Sequence, residues 1–243
     1  MDFNADLGES WYQHRVGSDT GLMPFLDSCN IACGFHGGDA LTMRRTIELA
    51  LFHGVNVGAH PSYPDREHFG RRKMDIPPEQ LEALLLYQVA ALQGMTAAAG
   101  GELRHIKLHG ALYHHAAFGA DAMAAQSVVR VARALGKLTI YGPQGSHLER
   151  EALHAKVPFL AEGFVDRRYE AYNRLMPRKE KTALLQSAGE CADQARDLIN
   201  GTVQLASGQS ATVAVQTICV HGDHRGCEER ARAVREVLDR TAA

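Results

Sequence analysis

The chain lacks several features that would have decided its class at once. It has no uninterrupted apolar run long enough to cross a bilayer, so no helical membrane span is expected. Neither GxxxxGK[ST] nor GxGxxG occurs, which leaves ATP binding by the common phosphate-cradling loops unsupported. Aromatic residues make up only 7% and do not cluster, which disfavours a surface for stacking nucleobases. A formal net charge of −2, with acids and bases interspersed, offers neither a basic footprint for nucleic acid nor a polybasic membrane patch. The five cysteines (Cys29, Cys33, Cys191, Cys219 and Cys227) are odd in number and form no CxxC pair, which fits reduced thiols in a cytoplasmic protein. The opening MDFNADLGES has no charged segment followed by an apolar one, so no secretory leader is expected.

What is present suits small-molecule chemistry. With 243 residues, 45% of them hydrophobic, and no Pro/Ser-rich linker or low-complexity run, the composition predicts a single domain over 1–243. Phe3–Leu7 alternates like a strand and is broken by Gly8. Ser28–Cys33 reads as a buried strand ending in GFHGGD, and Asp39 can cap a helix that Gly54 stops. Further strands are expected at Val55–Ala59, Leu103–Leu108, Leu138–Tyr141, Phe159–Ala161 and Val213–Val220. Helices are expected after Pro77-Pro78, over Asp121–Leu135, over Ser187–Asn200 and over Glu228–Leu238. Strands alternating with helices argue for a parallel sheet covered by helices. Reactive residues recur at nearly every strand exit, which favours a β/α barrel of about seven parallel strands over an open sheet.

The exits carry Asp6, Glu9, His36, Asp39, His60, Lys107, His109, Glu162, His221 and Asp223. Histidine suits proton transfer near neutrality, and carboxylates can orient it or act as bases, so such a cluster could activate water and protonate a leaving nitrogen. That is hydrolase chemistry on an amide-like bond. We assign Asp6, His36, His60 and His109 to catalysis, and Asn30, Lys107, Glu162, Arg167, His221 and Asp223 to substrate binding. Lys107 could offset oxyanion charge, and Arg71, Arg72 and Arg167 could hold a carboxylate or phosphate through their planar forks. Asp39 has an equal reading as a helix cap. His53, His68, His114, His115, His147 and His154 read as surface or satisfied histidines. No HExxH or comparable tight spacing occurs, so no metal ligands are assigned.

Seven stretches, NADLGE (4–9), NIACGFHGGD (30–39), GVNVGAHPSYPD (54–65), FGRR (69–72), KLHGALYH (107–114), EGFVDRRY (162–169) and CVHGD (219–223), run through nearly the whole chain in order. In these the chain resembles the LamB/YcsF family, whose members serve as the A component of ATP-dependent 5-oxoprolinase. The resemblance implies a barrel related to glycoside hydrolases and deacetylases, and hydrolytic opening of the 5-oxoproline (pyroglutamate) lactam to L-glutamate. It also implies partners, 5-oxoprolinase subunits B and C, and ATP consumed by the complex, with no cofactor assigned to this chain. Leu108 and His114 depart from the family's proline and asparagine, and Asn173-Arg174 stand where it has Asp-Gly. Two rival readings are a metal-dependent, deacetylase-like hydrolase and a non-catalytic subunit that binds the lactam.

Overall fold

The computed structural model describes residues 1–242. Seven parallel strands close into a barrel: β1 (Asp2–Leu7), β2 (Ser28–Ala32), β3 (Asn56–His60), β4 (Leu103–Lys107), β5 (Thr139–Gly142), β6 (Phe159–Phe164) and β7 (Thr217–His221). Each strand neighbours the next in sequence, and β7 returns to β1, so Asp6 and His221 are register partners across the seam. The strands are buried almost end to end because helices cover the outer face and side chains fill the inner one. Phe3, Leu7, Ile31 and Ile106, each at most 1% exposed, belong to this core, and burying a side chain of that size contributes about 1.5–3 kcal/mol.

Helix α1 (Ala40–His53) starts where the Asp39 carboxylate accepts the Thr42 N–H at 2.8 Å, and it stops at Gly54 in the left-handed conformation, φ 70°. The capping reading of Asp39 therefore holds. Helix α2 (Pro78–Ala98) buries Leu81, Leu85, Val89 and Leu92, a stripe at three- and four-residue spacing. The remaining long helices are α3 (Gly110–Phe118), α4 (Met123–Ala134), α5 (His147–His154), α6 (Ala188–Ile199) and α7 (Cys227–Ala242). Helix α6 opens with a reciprocal capping box between Ser187 and Glu190.

Three differences from the sequence reading have local causes. The last barrel strand begins at Thr217 rather than Val213, because 210–212 pairs back on 202–204 and the Val213 N–H donates to Gly201 O. Helix α5 was not among the expected helices, although Ser146 and Glu149 spell its cap: the serine oxygen accepts the Glu149 N–H at 3.2 Å. Helix α3 has no side-chain cap, and two central histidines obscure its apolar pattern. Near the rim, Tyr169–Ala171 and Arg174–Leu175 form a small antiparallel pair. Its turn keeps a left-handed residue because asparagine tolerates that conformation: Asn173 has φ 51°, and its amide donates to Gln144 O at 2.8 Å.

Candidate active site

Inside the barrel, just below the rim, polar side chains form a hydrogen-bonded network in which the buried His105 Nδ1 is left without a partner. Asn30 Nδ2 donates to Asn4 Oδ1 (2.8 Å) and Asp6 Oδ1 (2.9 Å), while its own oxygen lies 2.7 Å from His105 Nε2. Lys107, 2% exposed, lies 2.9 Å from Asp6 Oδ1, from Glu162 Oε1 and from Cys219 Sγ. Glu162 also accepts the Tyr113 hydroxyl at 2.9 Å. Burial opposes the Lys107 charge, but Asp6, Cys219 and Glu162 outweigh it and hold the ammonium well above the ordinary lysine pKa. Asp6 is buried too, yet His60 and Lys107 keep its carboxyl well below the ordinary range. Gly58 makes this packing possible, since a Cβ there would fall on the His105 ring.

At the rim the arrangement is open. His60 donates from Nδ1 to Lys107 O at 2.7 Å, and His109 donates from Nε2 to Phe69 O at 2.8 Å. Those bonds fix both tautomers. In the neutral rings the two remaining nitrogens, His60 Nε2 and His109 Nδ1, are acceptors facing each other at 3.0 Å, and a proton on His60 Nε2 would point at His109 and Asp6. Asp6 Oδ2 lies 3.3 Å from the first, and Glu9 Oε1 lies 3.5 Å from the second and 3.1 Å from His36 Nε2. His36 stacks flat on His109, centroids 3.7 Å apart. Burial lowers the pKa of both rings well below the ordinary value, helped by neighbouring histidines. Burial, with Asp6 and Asp223 nearby, raises that of Glu9 well above the carboxylate range.

Two lone pairs facing across 3.0 Å repel unless a proton or a cation sits between them. Glu9, His36, His60 and His109 each place a donor atom within 4.8 Å of the others, and this nitrogen and oxygen set can hold a zinc-like ion. No metal ligands were assigned from the sequence. The donors come from four different strand exits, so no spacing in the chain announces them.

Opposite these groups, the His221 Nδ1–H donates to Asp166 at 2.9 Å, and the His221 backbone N–H donates to the other oxygen of that carboxylate at 2.8 Å. Burial opposes the Asp166 charge, but His221 outweighs it and depresses the carboxyl pKa. Asp223 Oδ2 accepts from Arg71 at 2.6 Å and from Arg178 at 3.3 Å. A cavity of about 360 Å³ connects the two sides. Of the residues singled out in the sequence, Asp6, Glu9, His60, Arg71, Lys107, His109, Arg167, His221 and Asp223 line it. His36 is fully buried behind His109, Asn30 lies beneath the floor, and Glu162 faces an adjoining pocket with Tyr113. Arg72 pairs with Asp65, away from the cavity lining. Sequence reasoning gave no site role to Asp166, Arg178, Tyr113 or His105, nor to His114, read as a surface or satisfied histidine, which is exposed and lines the cavity.

A closed parallel barrel with its acid–base groups at the strand exits defines a class of hydrolase-like folds. A family 4 carbohydrate esterase from Streptomyces lividans shares the architecture at a TM-score of 0.52, with 12% identity over 99% of this chain and 88% of that one, a likeness of fold alone. The lactam utilization protein from Thermus thermophilus superposes with a TM-score of 0.92 at 37% identity, covering 100% of this chain and 97% of that one. The A component of 5-oxoprolinase from Symbiobacterium thermophilum is 44% identical over 241 residues, 98% of this chain and 92% of that protein. The LamB/YcsF family model matches residues 1–243, and the chain belongs to the LamB/YcsF family.

Proposed function

We propose that this chain is the A component of an ATP-dependent 5-oxoprolinase, a single barrel domain that opens the lactam of 5-oxoproline to L-glutamate together with partner subunits. The observation that carries the reading is the set of fixed tautomers around Asp6, in a chain 44% identical to a 5-oxoprolinase A component over nearly its whole length. His60 turns an acceptor nitrogen beside the Asp6 carboxylate, which suits it to take a proton from water. His109 Nδ1, 3.0 Å away, can share that proton. The hydroxide adds to the lactam carbon, the C–N bond breaks, and the ring nitrogen gains a proton as it leaves. Protonated on both nitrogens, with its Nδ1–H held by Asp166, His221 is placed to give that proton from Nε2. ATP is consumed elsewhere in the complex, by partners that correspond to subunits B and C, which agrees with the missing phosphate loops.

Reconstitution with the partner subunits tests this. Folded Asp6→Asn should lose at least about a thousandfold in ATP-dependent glutamate formation, because it removes the charge beside the His60 base. Full lactam opening by that variant would remove Asp6 from the mechanism.

The facing lone pairs support a second reading, a metal-dependent, deacetylase-like hydrolase in which Glu9, His36, His60 and His109 hold the ion. A bound ion would polarise the carbonyl and acidify water. Metal analysis separates the two readings: one equivalent of zinc per chain, with activity lost on chelation, supports this one, and active metal-free protein excludes it.

A further inference from the structure

The cavity carries acid–base groups on one side and guanidinium groups on the other, and the second set is short of negative charge. Arg71 and Arg178 share one oxygen, Asp223 Oδ2, so a single carboxylate serves two guanidiniums. Arg167 lines the same cavity and is only 4% exposed. Its Nη2 donates to Met176 O at 2.7 Å, its Nε has no hydrogen-bond partner, and no carboxylate of the described residues lies within 4.0 Å. Asp166, its neighbour in sequence, is engaged by His221. Lys107, the other cation on the cavity wall, is already neutralised by Asp6 and Glu162. Burial and the nearby Arg178 push the Arg167 pKa down to about 10, so the group remains charged at neutral pH.

A buried guanidinium without a counter-ion is costly, and a ligand that brings the missing charge relieves the cost. We propose that Arg167 and Arg178, with Arg71 at the edge, form a subsite for an oxyanion, a carboxylate or phosphoryl group, carried by the compound whose amide bond is opened beside it. This rests on the function proposed above and adds which residues hold the substrate's anion. The planar forks of arginine match either oxyanion bidentately. The 3.3 Å contact of Arg178 with Asp223 is the one an incoming anion would exchange. In 5-oxoproline the carboxylate sits on the carbon bonded to the ring nitrogen, so a molecule held by it presents its C–N bond to the opposite wall. A phosphoryl group on the lactam oxygen would approach the same arginines from the other end of the ring.

The test is direct binding to the purified full chain by calorimetry, with inorganic phosphate, 5-oxoproline and the uncharged lactam 2-pyrrolidinone as probes. We expect saturable binding of at least one anion, weakened about tenfold or more in Arg178→Met and in Arg167→Met, and only partly restored by lysine at either position. The uncharged lactam should bind at least about tenfold more weakly than the preferred anion and be indifferent to Arg178→Met. Arg178 is partly exposed, so its variant keeps the test alive should Arg167→Met not fold. Tighter binding of phosphate assigns the subsite to a phosphoryl group, and tighter binding of 5-oxoproline assigns it to the carboxylate. Failure of both anions to bind, or unchanged affinity in the Arg178 variants, overturns the subsite. A reconstituted complex that opens no lactam, built on a chain that still binds anions through Arg178, would overturn the function and leave the subsite standing.

Discussion

Two polar regions a few residues apart on the same strands follow opposite rules. In the barrel interior, Lys107 is met by Asp6 and Glu162, and Asn4 and Asn30 are tied to their neighbours by several bonds. At the rim, two imidazole lone pairs face each other, Glu9 is pushed toward its neutral form, and one carboxylate serves two arginines. The interior places an ammonium between two carboxylates and meets most of its hydrogen bonds internally, so it can act as a rigid floor. The rim is balanced only by something added to it, a proton, a cation or an anionic ligand, and that makes it the place for chemistry.

Substitutions can break or sharpen this contrast. Lys107→Met should cost the most, about 3–5 kcal/mol in urea unfolding, because it leaves the carboxylates of Asp6 and Glu162 buried without their cation. Gly58→Ala should come next at about 1–3 kcal/mol, since the new Cβ displaces the His105 ring and with it the bond to Asn30. His105→Gln should change the pH dependence. The buried ring has a pKa near 3, whereas the unfolded chain takes up a proton below about 6.5. Its contribution is thus complete above about pH 6.5 and lost as pH falls toward 3, at up to about 1.4 kcal/mol per pH unit. The variant should show a slope of unfolding free energy against pH shallower by about one proton across that window.

Glu9→Gln should cost least, within about 0.5 kcal/mol at neutral pH, because glutamine copies the shape of the neutral carboxyl that burial and Asp6 favour. A loss comparable to that of Lys107→Met would show that the rim acid is charged and paired, and would erase the distinction between the two regions.

Much of the floor and the rim was legible in the chain. Strand exits are marked by glycine and by the change from apolar to ionisable residues, so Asp6, His60, Lys107, His109 and His221 could be placed at a common mouth by counting strands. The hidden residues fall into two kinds. Asp166 and Arg178 lie in the long connection between β6 and β7, whose path over the rim no periodicity describes. His105 and Tyr113 sit one strand step or one helix turn from residues that were recognised, and an inward tilt is not written in their spacing. Mutual orientation was likewise illegible, because backbone carbonyls at Lys107 and Phe69 fix which imidazole nitrogen faces the cavity.

The pairing of β1 with β7 has a consequence for how the site comes into being. Asp6 is synthesised long before its register partner, His221. Until β7 arrives, the edge of β1 presents unpaired backbone groups, and Asn4 lacks the hydroxyl of Thr217 that it binds at 2.7 Å. This long sequence separation runs the length of the seam, from Asp2 with Thr217 to Asp6 with His221, so a large loop must close before the contacts reward it. A growing chain carries both members of the His60–His109 pair long before it carries His221 on the wall that faces them, so the two sides of the cavity meet only when the closing strand docks.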